Sequence, residues 1–525
     1  MWKDLAVALS LANLCFFGFW SSLLAEAKDP LARLRLLPPA EYAAAIVNVL
    51  LLAGAFYLAI LAVRRRLTGL KLAATVAAAG VLAWAPLVAG YTVLRHYRPK
   101  PSLDTLLPVS AGPALTACAL LLLLLALPRL YRRIAAACYA VLLIFSPFVG
   151  VTFARAGWRL YAARQGPPLA APTSASRTSS EMHRPPAASR VVWLVFDEWD
   201  QRLTFEQRPA DLALPELDRL RGESFFGAAA YAPAEQTQYS MLSVLAGRVL
   251  TGLEPDPSRD LRLLFRDFPE SALWGAYPNL FRRAKNEGFR TAVVGWYLPY
   301  CALLSDATDV CWQNEPLGGV SGSSLSRLLT GQWQLVMKKA VFSVSLESLD
   351  AFHHSQLFDQ MRREAAKVLA DASFDLVLVH LPVPHGPYFY DRHTGAYRFD
   401  RHPVFGYFDS LVLLDRTLGE FRQQLEDAGL WQQTAVLVTS DHWLRTSELI
   451  DGHKDHRVPF LLKLTGKTRP LVYDRPFNTV LSHELLLELL RGNLRTSAGV
   501  ARWLDRRRES VRTEPVYTGL GAPPS

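Results

Sequence analysis

Charge is scarce in this chain, and cysteine scarcer still. Asp, Glu, Lys and Arg make up 20% of the 525 residues, against 50% hydrophobic, which lies at the apolar end of what soluble proteins show. The shortage of charge is local. Residues 1–155 hold nearly all the long apolar runs, and the remainder has the composition of a globular domain. Of the five cysteines, Cys15, Cys118 and Cys138 lie inside apolar segments, where a thiol serves as a small core residue. Cys301 and Cys311, in "YLPYCALLSDATDVCWQ", stand outside them; a disulfide in an exported domain and a pair of buried thiols are both open. Internal repeats and nucleic-acid-binding motifs are absent. The net charge of +10 alone would suggest a nucleic-acid partner. Much of the basic excess, however, flanks apolar runs, as in "RRRLTGLK", "RHYRPK" and "PRLYRR", the placement that membrane topology requires. No nucleic acid is expected.

What is present in the first 155 residues is membrane-like. Five segments, about 5–25, 42–63, 70–94, 106–127 and 134–154, approach the roughly 20 apolar residues that cross a bilayer. The first is not read as a cleavable signal, because four similar segments follow. Few formal charges interrupt them, so no ion path or proton relay is indicated. The Lys and Arg bias, led by Arg64, Arg65, Arg66 and Lys71, places the N-terminus inside, and five crossings then put the C-terminal part outside. Residues 1–155 are thus expected to be a bundle of five transmembrane helices.

Residues 156–189 are rich in Pro, Ala and Ser and read as a juxtamembrane linker. From 190 to 505 short apolar runs alternate with amphipathic stretches. "VVWLVF", "TAVVGWY", "DLVLVHL" and "TAVLVTS" have the pattern of buried parallel strands. The expected fold is α/β, a central, mostly parallel sheet flanked by helices. Residues 506–525 are read as a tail.

Ligands of such sheets bind beyond the carboxyl ends of the strands. There the sequence puts Asp197 and Glu198 after the first strand, Asp441 and His442 after "TAVLVTS", and His385 in "PVPHGPY". Thr237, in "TQYSMLSVLAGR", opens a helix. Each residue alone has a plain structural reading: Asp197 as a strand terminus, His442 as a surface histidine, Thr237 as a helix cap. Together, two carboxylates, an imidazole and a hydroxyl make a four-ligand N/O set that suits Zn²⁺, or Mn²⁺ with added water.

The stretches "VVWLVFDEWD", "TQYSMLSVLAGR", "FRRAKNEGFRTAVVG", "HLPVPHGPY", "TAVLVTSDHW" and "HRVPFLLKL", in this order, resemble the sulfatase-like branch of the alkaline phosphatase superfamily. With membrane helices ahead of them, they look like the phosphoethanolamine transferases and lipoteichoic acid synthases. The resemblance implies Thr237 as nucleophile, and Asp197, Asp441, His442 and the Thr237 oxygen as ligands of one divalent metal, zinc first, with manganese or calcium as alternatives. It implies that His385 contacts the phosphoryl or leaving group, with His453 or His456 adding a further substrate contact. Ser240 is the alternative nucleophile. The implied reaction moves a phospho-head group from a membrane lipid donor to an envelope glycan or lipid acceptor. A phosphodiesterase or phosphatase, and an inactive envelope binding protein, are the alternatives. The implied place is the bacterial inner membrane, multi-pass, with the catalytic domain on the periplasmic or extracellular side.

Three departures from the family pattern matter. Sulfatases carry Cys or Ser within Cys-x-Pro-Ser-Arg and oxidise it to formylglycine, an aldehyde that threonine cannot give. After the "TAVVG" strand, "WYL" replaces their Lys and His. Trp443 stands where a Gly usually follows "SDH". His380 and His385 invite a second metal, but Pro384 stands where its carboxylate would be, so one metal is expected.

Overall fold

The computed structural model describes residues 2–24, 31, 39–65, 82, 85, 128–165, 189–256, 260–313, 326, 328–333, 346–399 and 403–517. The chain divides into two compact units: one of residues 1–28, 36–171 and 315–346, the other of 29–35, 172–314 and 347–525.

The first unit is helical. Helices Trp2–Cys15, Phe17–Leu24, Pro39–Arg65, Pro128–Ile144 and Ser146–Gln165 are described. Val7, Leu11 and Phe16 meet Tyr42, Val49 and Phe56 in its core, with Ala8, Ala12, Ala45 and Ala53 among them; such small residues let helices approach closely. Of the five expected crossings, 70–94 and 106–127 lie outside the described residues apart from Leu82 and Ala85. Among those described, one helix is long and apolar enough to cross a membrane, Pro39–Arg64; a second counts if Ala135–Ile144 and Ser146–Tyr161, bent by 41°, form one span. The five-helix bundle is therefore corrected to one or two spans among the described residues. Pro147 causes the bend. It has no N–H for the Leu143 carbonyl, which accepts from the Ser146 hydroxyl instead at 2.7 Å. The first expected segment breaks at Phe16 into helices of 14 and 8 residues, with Gly18, a poor helix former, just beyond. The start of the expected linker is helical too, since Ser146–Gln165 runs through it.

The second unit is built on an eight-stranded sheet. Its strands are β1 (Arg190–Asp197), β2 (Phe225–Gly227), β3 (Thr291–Gly295), β4 (Val310–Gln313), β5 (Leu376–Pro384), β6 (Thr434–Ser440), β7 (Phe460–Lys463) and β8 (Leu471–Tyr473). Their spatial order is β8-β2-β7-β6-β1-β5-β3-β4. β7 alone runs against its neighbours, antiparallel to β6 and β2; the other pairs are parallel. The expected mixed α/β architecture with a mostly parallel sheet is present.

Alternation explains why the strands read as unbroken apolar runs. Val191, Trp193 and Val195 of β1 enter one core with Leu242 and Leu245 of helix Thr237–Ala246 and Leu486 and Leu490 of helix Ser482–Leu490. Val192, Leu194 and Phe196 enter the other, with Phe358 and Met361 of helix Leu346–Ala370 and Leu411 and Leu414 of helix Pro403–Asp427. Both faces are covered, so neither can be polar. β1 lies between β5 and β6, which brings the carboxyl ends of all three strands side by side.

Candidate metal centre

Asp197 ends β1. The register with β5 shifts between Phe196 and Asp197, and Glu198 adopts a left-handed backbone at φ 62°, a conformation that costs a non-glycine residue about 1–2 kcal/mol. The turn separates two adjacent carboxylates. Asp197 is buried against Asp441 and His442, whereas Glu198 meets the Arg445 guanidinium at 3.1 Å and the His385 ring at 3.6 Å. The Glu198 N–H donates to Asp441 Oδ1 at 3.1 Å, as the His442 N–H does at 2.8 Å.

Thr237 is the first residue of its helix and does not cap it. Gln236 occupies the cap position without a side-chain cap bond. The Thr237 hydroxyl instead lies 3.3 Å from His442 Nε2. At the far end Gly247, at φ 73°, closes the helix in the left-handed conformation that glycine adopts without strain. Ser240, the alternative nucleophile, is buried and donates to the Asp441 carbonyl.

His442 Nε2 is 3.5 Å from a carboxylate oxygen of Asp197 and from one of Asp441. Its Nδ1 is 2.9 Å from the Trp443 carbonyl. A carbonyl only accepts, so Nδ1 carries a proton and Nε2 is the ring atom turned to the cluster, the way metal-ligating histidines are oriented. The four residues expected to hold a metal, Asp197, Thr237, Asp441 and His442, are therefore gathered in one place.

A fifth residue joins them. His380, within β5 and wholly buried, groups with Asp197 and Asp441 so that one ligand atom of each lies within 4.8 Å of the others. Its Nδ1 is 2.8 Å from the Tyr300 hydroxyl. Burial pushes its pKa down to about 4. Sequence reading weighed His380 only for a second metal. The usable signal was its period-two position, on the β5 face shared by Leu376 and Leu378 and by helix Thr237–Ala246. Tyr300 left no signal.

Asp197 Oδ1, Asp441 Oδ2 and His380 Nε2 are buried without a hydrogen-bond partner. Burial and the Asp441 and Glu198 charges drive the Asp197 carboxyl well above its usual range. Burial acts the same way on Asp441, but the His442 and His380 imidazoles and the Thr237 hydroxyl hold it below its usual range. Two orphaned carboxylate oxygens and an orphaned imidazole nitrogen, gathered in one buried place, are satisfied together by a divalent cation. The residues present fit one.

The other expected residues lie further out. His385 is partly exposed, beside Glu198, with its ring 5.7 Å from Trp296 and stacked 6.5 Å from His354. The His456 ring lies 4.5 Å from Trp443 and 3.3 Å from the Tyr517 hydroxyl. His453 is exposed and bonds back to the Asp451 carbonyl at 2.9 Å; it is not among the residues gathered around the carboxylates. Trp443, the bulky departure after "SDH", is buried in the core with Val458 and Phe460. Cys301 and Cys311 are joined by a disulfide.

A sulfatase family profile matches residues 189–488. No curated protein sequence matches the chain. Solved structures similar to it include a protein of the alkaline phosphatase superfamily from Vibrio parahaemolyticus, at 16% identity over 58% of this chain and 66% of that one, TM-score 0.35. Others are the phosphonate monoester hydrolase of Agrobacterium radiobacter, at 14% over 58% and 77%, TM-score 0.36, and the lipoteichoic acid synthase LtaP from Listeria monocytogenes, at 15% over 58% and 72%, TM-score 0.36.

Proposed function

This chain belongs to the sulfatase family, and on that premise we propose that it is a membrane-anchored, metal-dependent phosphotransferase. It carries a phospho-head group, of the phosphoethanolamine or phosphoglycerol type, from a lipid donor to an envelope glycan or lipid. The observation that carries the reading is the Thr237 hydroxyl, uncommitted to capping and 3.3 Å from His442 Nε2. A sulfatase needs an oxidisable Cys or Ser at this place. A threonine is limited to attack by its own oxygen, which forms an ester with phosphorus.

Asp197, Asp441, His442 and the Thr237 oxygen would hold the ion, zinc first given the N/O donor set, with His380 facing it from β5. When bound, the ion polarises the threonine oxygen and offsets charge on the phosphoryl oxygens. The N-terminus of helix Thr237–Ala246 adds partial positive charge at the same oxygen. Thr237 Oγ1 gives its proton to solvent and forms the new O–P bond as the P–O bond to the lipid alcohol breaks. His385, held by Glu198, donates a proton to the leaving oxygen. The acceptor hydroxyl then gives its proton to His385 and attacks the phosphothreonine, and as the P–O bond to Thr237 breaks the threonine oxygen takes a proton back from solvent. The apolar helix Pro39–Arg64 supports a membrane site, and the Cys301–Cys311 bridge supports an oxidising, exported one.

The test is intact-mass analysis of the purified protein after incubation with a phospholipid mixture and zinc or manganese, alongside Thr237→Ala. A mass gain mapping to Thr237 is expected, its size naming the group carried. Release of free head group without a modified acceptor would convert the reading to a phosphodiesterase. Neither adduct nor released product would favour an envelope binding protein.

A further inference from the structure

Helix Pro39–Arg65 is apolar through most of its length, yet it buries Glu41 and Asn48. Seven residues apart, they lie on one face of the helix. Both are spent on a single partner from far along the chain. The Asn48 amide donates to Gln332 Oε1 at 3.2 Å and to the Leu329 carbonyl at 3.1 Å. The Gln332 amide donates to the Glu41 carboxylate at 2.8 Å and to its backbone carbonyl at 3.0 Å. Gln332 itself is buried. In an apolar setting each of these groups must find a protein partner, so the four bonds make a specified joint rather than a surface contact.

Gln332 comes from an unexpected part of the sequence. Residues 328–333 are helical and group with the membrane unit, although the chain before Glu315 and after Leu346 belongs to the catalytic unit. The excursion leaves just after β4, whose carboxyl end is at the catalytic edge of the sheet. It returns through helix Leu346–Ala370, which carries His354 against His385. Both roots belong to the catalytic unit.

The joint also has a side. It occupies the Glu41 end of the helix. From Asn48 to Arg64, sixteen residues at about 1.5 Å each, the axis runs about 24 Å, most of the thickness of a bilayer core. Arg64 and Arg65 mark the inner end by the positive-inside rule, so a segment of the catalytic chain is seated at the outer end.

We propose that residues 328–333, through Gln332 between Glu41 and Asn48, are a second anchor of the catalytic chain. The anchor is required to turn over a substrate presented in a bilayer and not one in free solution. It rests on the lipid-donor reading above. A second tether raises the effective concentration of the catalytic groups at the lipid without altering the groups themselves.

The experiment uses the full-length protein in phosphatidylethanolamine–phosphatidylglycerol vesicles. Gln332→Leu is expected to lower head-group transfer or release from the vesicle lipid by roughly tenfold, while hydrolysis of soluble bis(p-nitrophenyl) phosphate changes less than about twofold. The pair Asn48→Cys with Gln332→Cys is expected to cross-link on oxidation, read by peptide mass mapping, and to keep lipid turnover while bridged. Failure to cross-link, equal losses on both substrates, or no loss on the lipid would each overturn the anchor. A parent protein inert to both substrates would sink the enzymatic reading, while the cross-link would still decide the joint.

Discussion

The Tyr300 hydroxyl sits 2.8 Å from His380 Nδ1, and both side chains are wholly buried. Tyr300 follows β3, and its ring lies so close to Gly295 that a Cβ there would come within 2.2 Å of it. A glycine at the end of one strand thus sets the orientation of a histidine on its neighbour.

That relay can be broken at either end. Tyr300→Phe should weaken metal binding by about 10–100-fold, the usual cost of losing a histidine's outer partner. Gly295→Ala should do the same and also lose about 1–3 kcal/mol through overpacking. Titration calorimetry with zinc and thermal melts of the same samples separate the two effects. Unchanged zinc affinity in Tyr300→Phe would show that His380 does not depend on its tyrosine.

Thr237 separates chemistry from folding. Thr237→Ala should abolish the covalent adduct and cut turnover by at least ~10³-fold, with the melting temperature little moved, because its hydroxyl caps nothing. Thr237→Ser should keep measurable adduct formation. An alanine variant that still becomes phosphorylated at the same peptide would move the nucleophile elsewhere.

Acid should act through His354. Burial lowers its pKa to about 4, and its Nε2 lies 2.8 Å from the Pro382 carbonyl. Its pKa is about 6.5 when unfolded, so between pH 6.5 and 4 the unfolded chain binds the extra proton. The His354 contribution to stability falls as pH drops through that window, with buried His380 and His483 acting in the same sense and the buried Asp200 and Asp415 carboxyls, raised to about 7 and about 6, in the opposite one. In denaturant melts from pH 7 to 4 the parent should lose more stability, or gain less, than His354→Phe, the difference between their slopes being the histidine's share. An unchanged slope would remove His354 from the account.

The Cys301–Cys311 bridge closes a short loop beside β4 and Tyr300. Replacing both cysteines with serine should cost about 2–3 kcal/mol by the loop-entropy relation. Urea denaturation under non-reducing conditions measures it. A cost near zero would mean that packing alone holds the loop.

How far the sequence reached depended on whether a feature was local. β1, β5 and β6 were legible because "VVWLVF", "DLVLVHL" and "TAVLVTS" are buried on both faces, and Asp197, Asp441 and His442 because they follow such runs. Helix Thr237–Ala246 was legible, but the role of Thr237 was not, since whether a hydroxyl caps its helix depends on a neighbour from position 442. His380 was weighed only for a second metal, because the family pattern was read ahead of its period-two position on the β5 face shared by Leu376 and Leu378. Asp197 was named as the ligand from its place after the strand, but the left-handed turn at Glu198, which sends the next carboxylate to Arg445 and His385, was not legible. The five spans were counted by hydropathy alone, which registers neither the break at Phe16 nor the loss of a hydrogen bond at Pro147.

The pairing of Gln332 with Glu41 spans 291 positions, and it changes how the protein can be divided. A fragment cut after the membrane helices would keep Gln332 and discard both its partners. The buried Gln332 amide would then lose its Glu41 and Asn48 partners and meet water in a segment that folds with the membrane unit. A soluble fragment must therefore lose residues 315–346 as well, the stretch that groups with the membrane unit although the chain on either side of it does not.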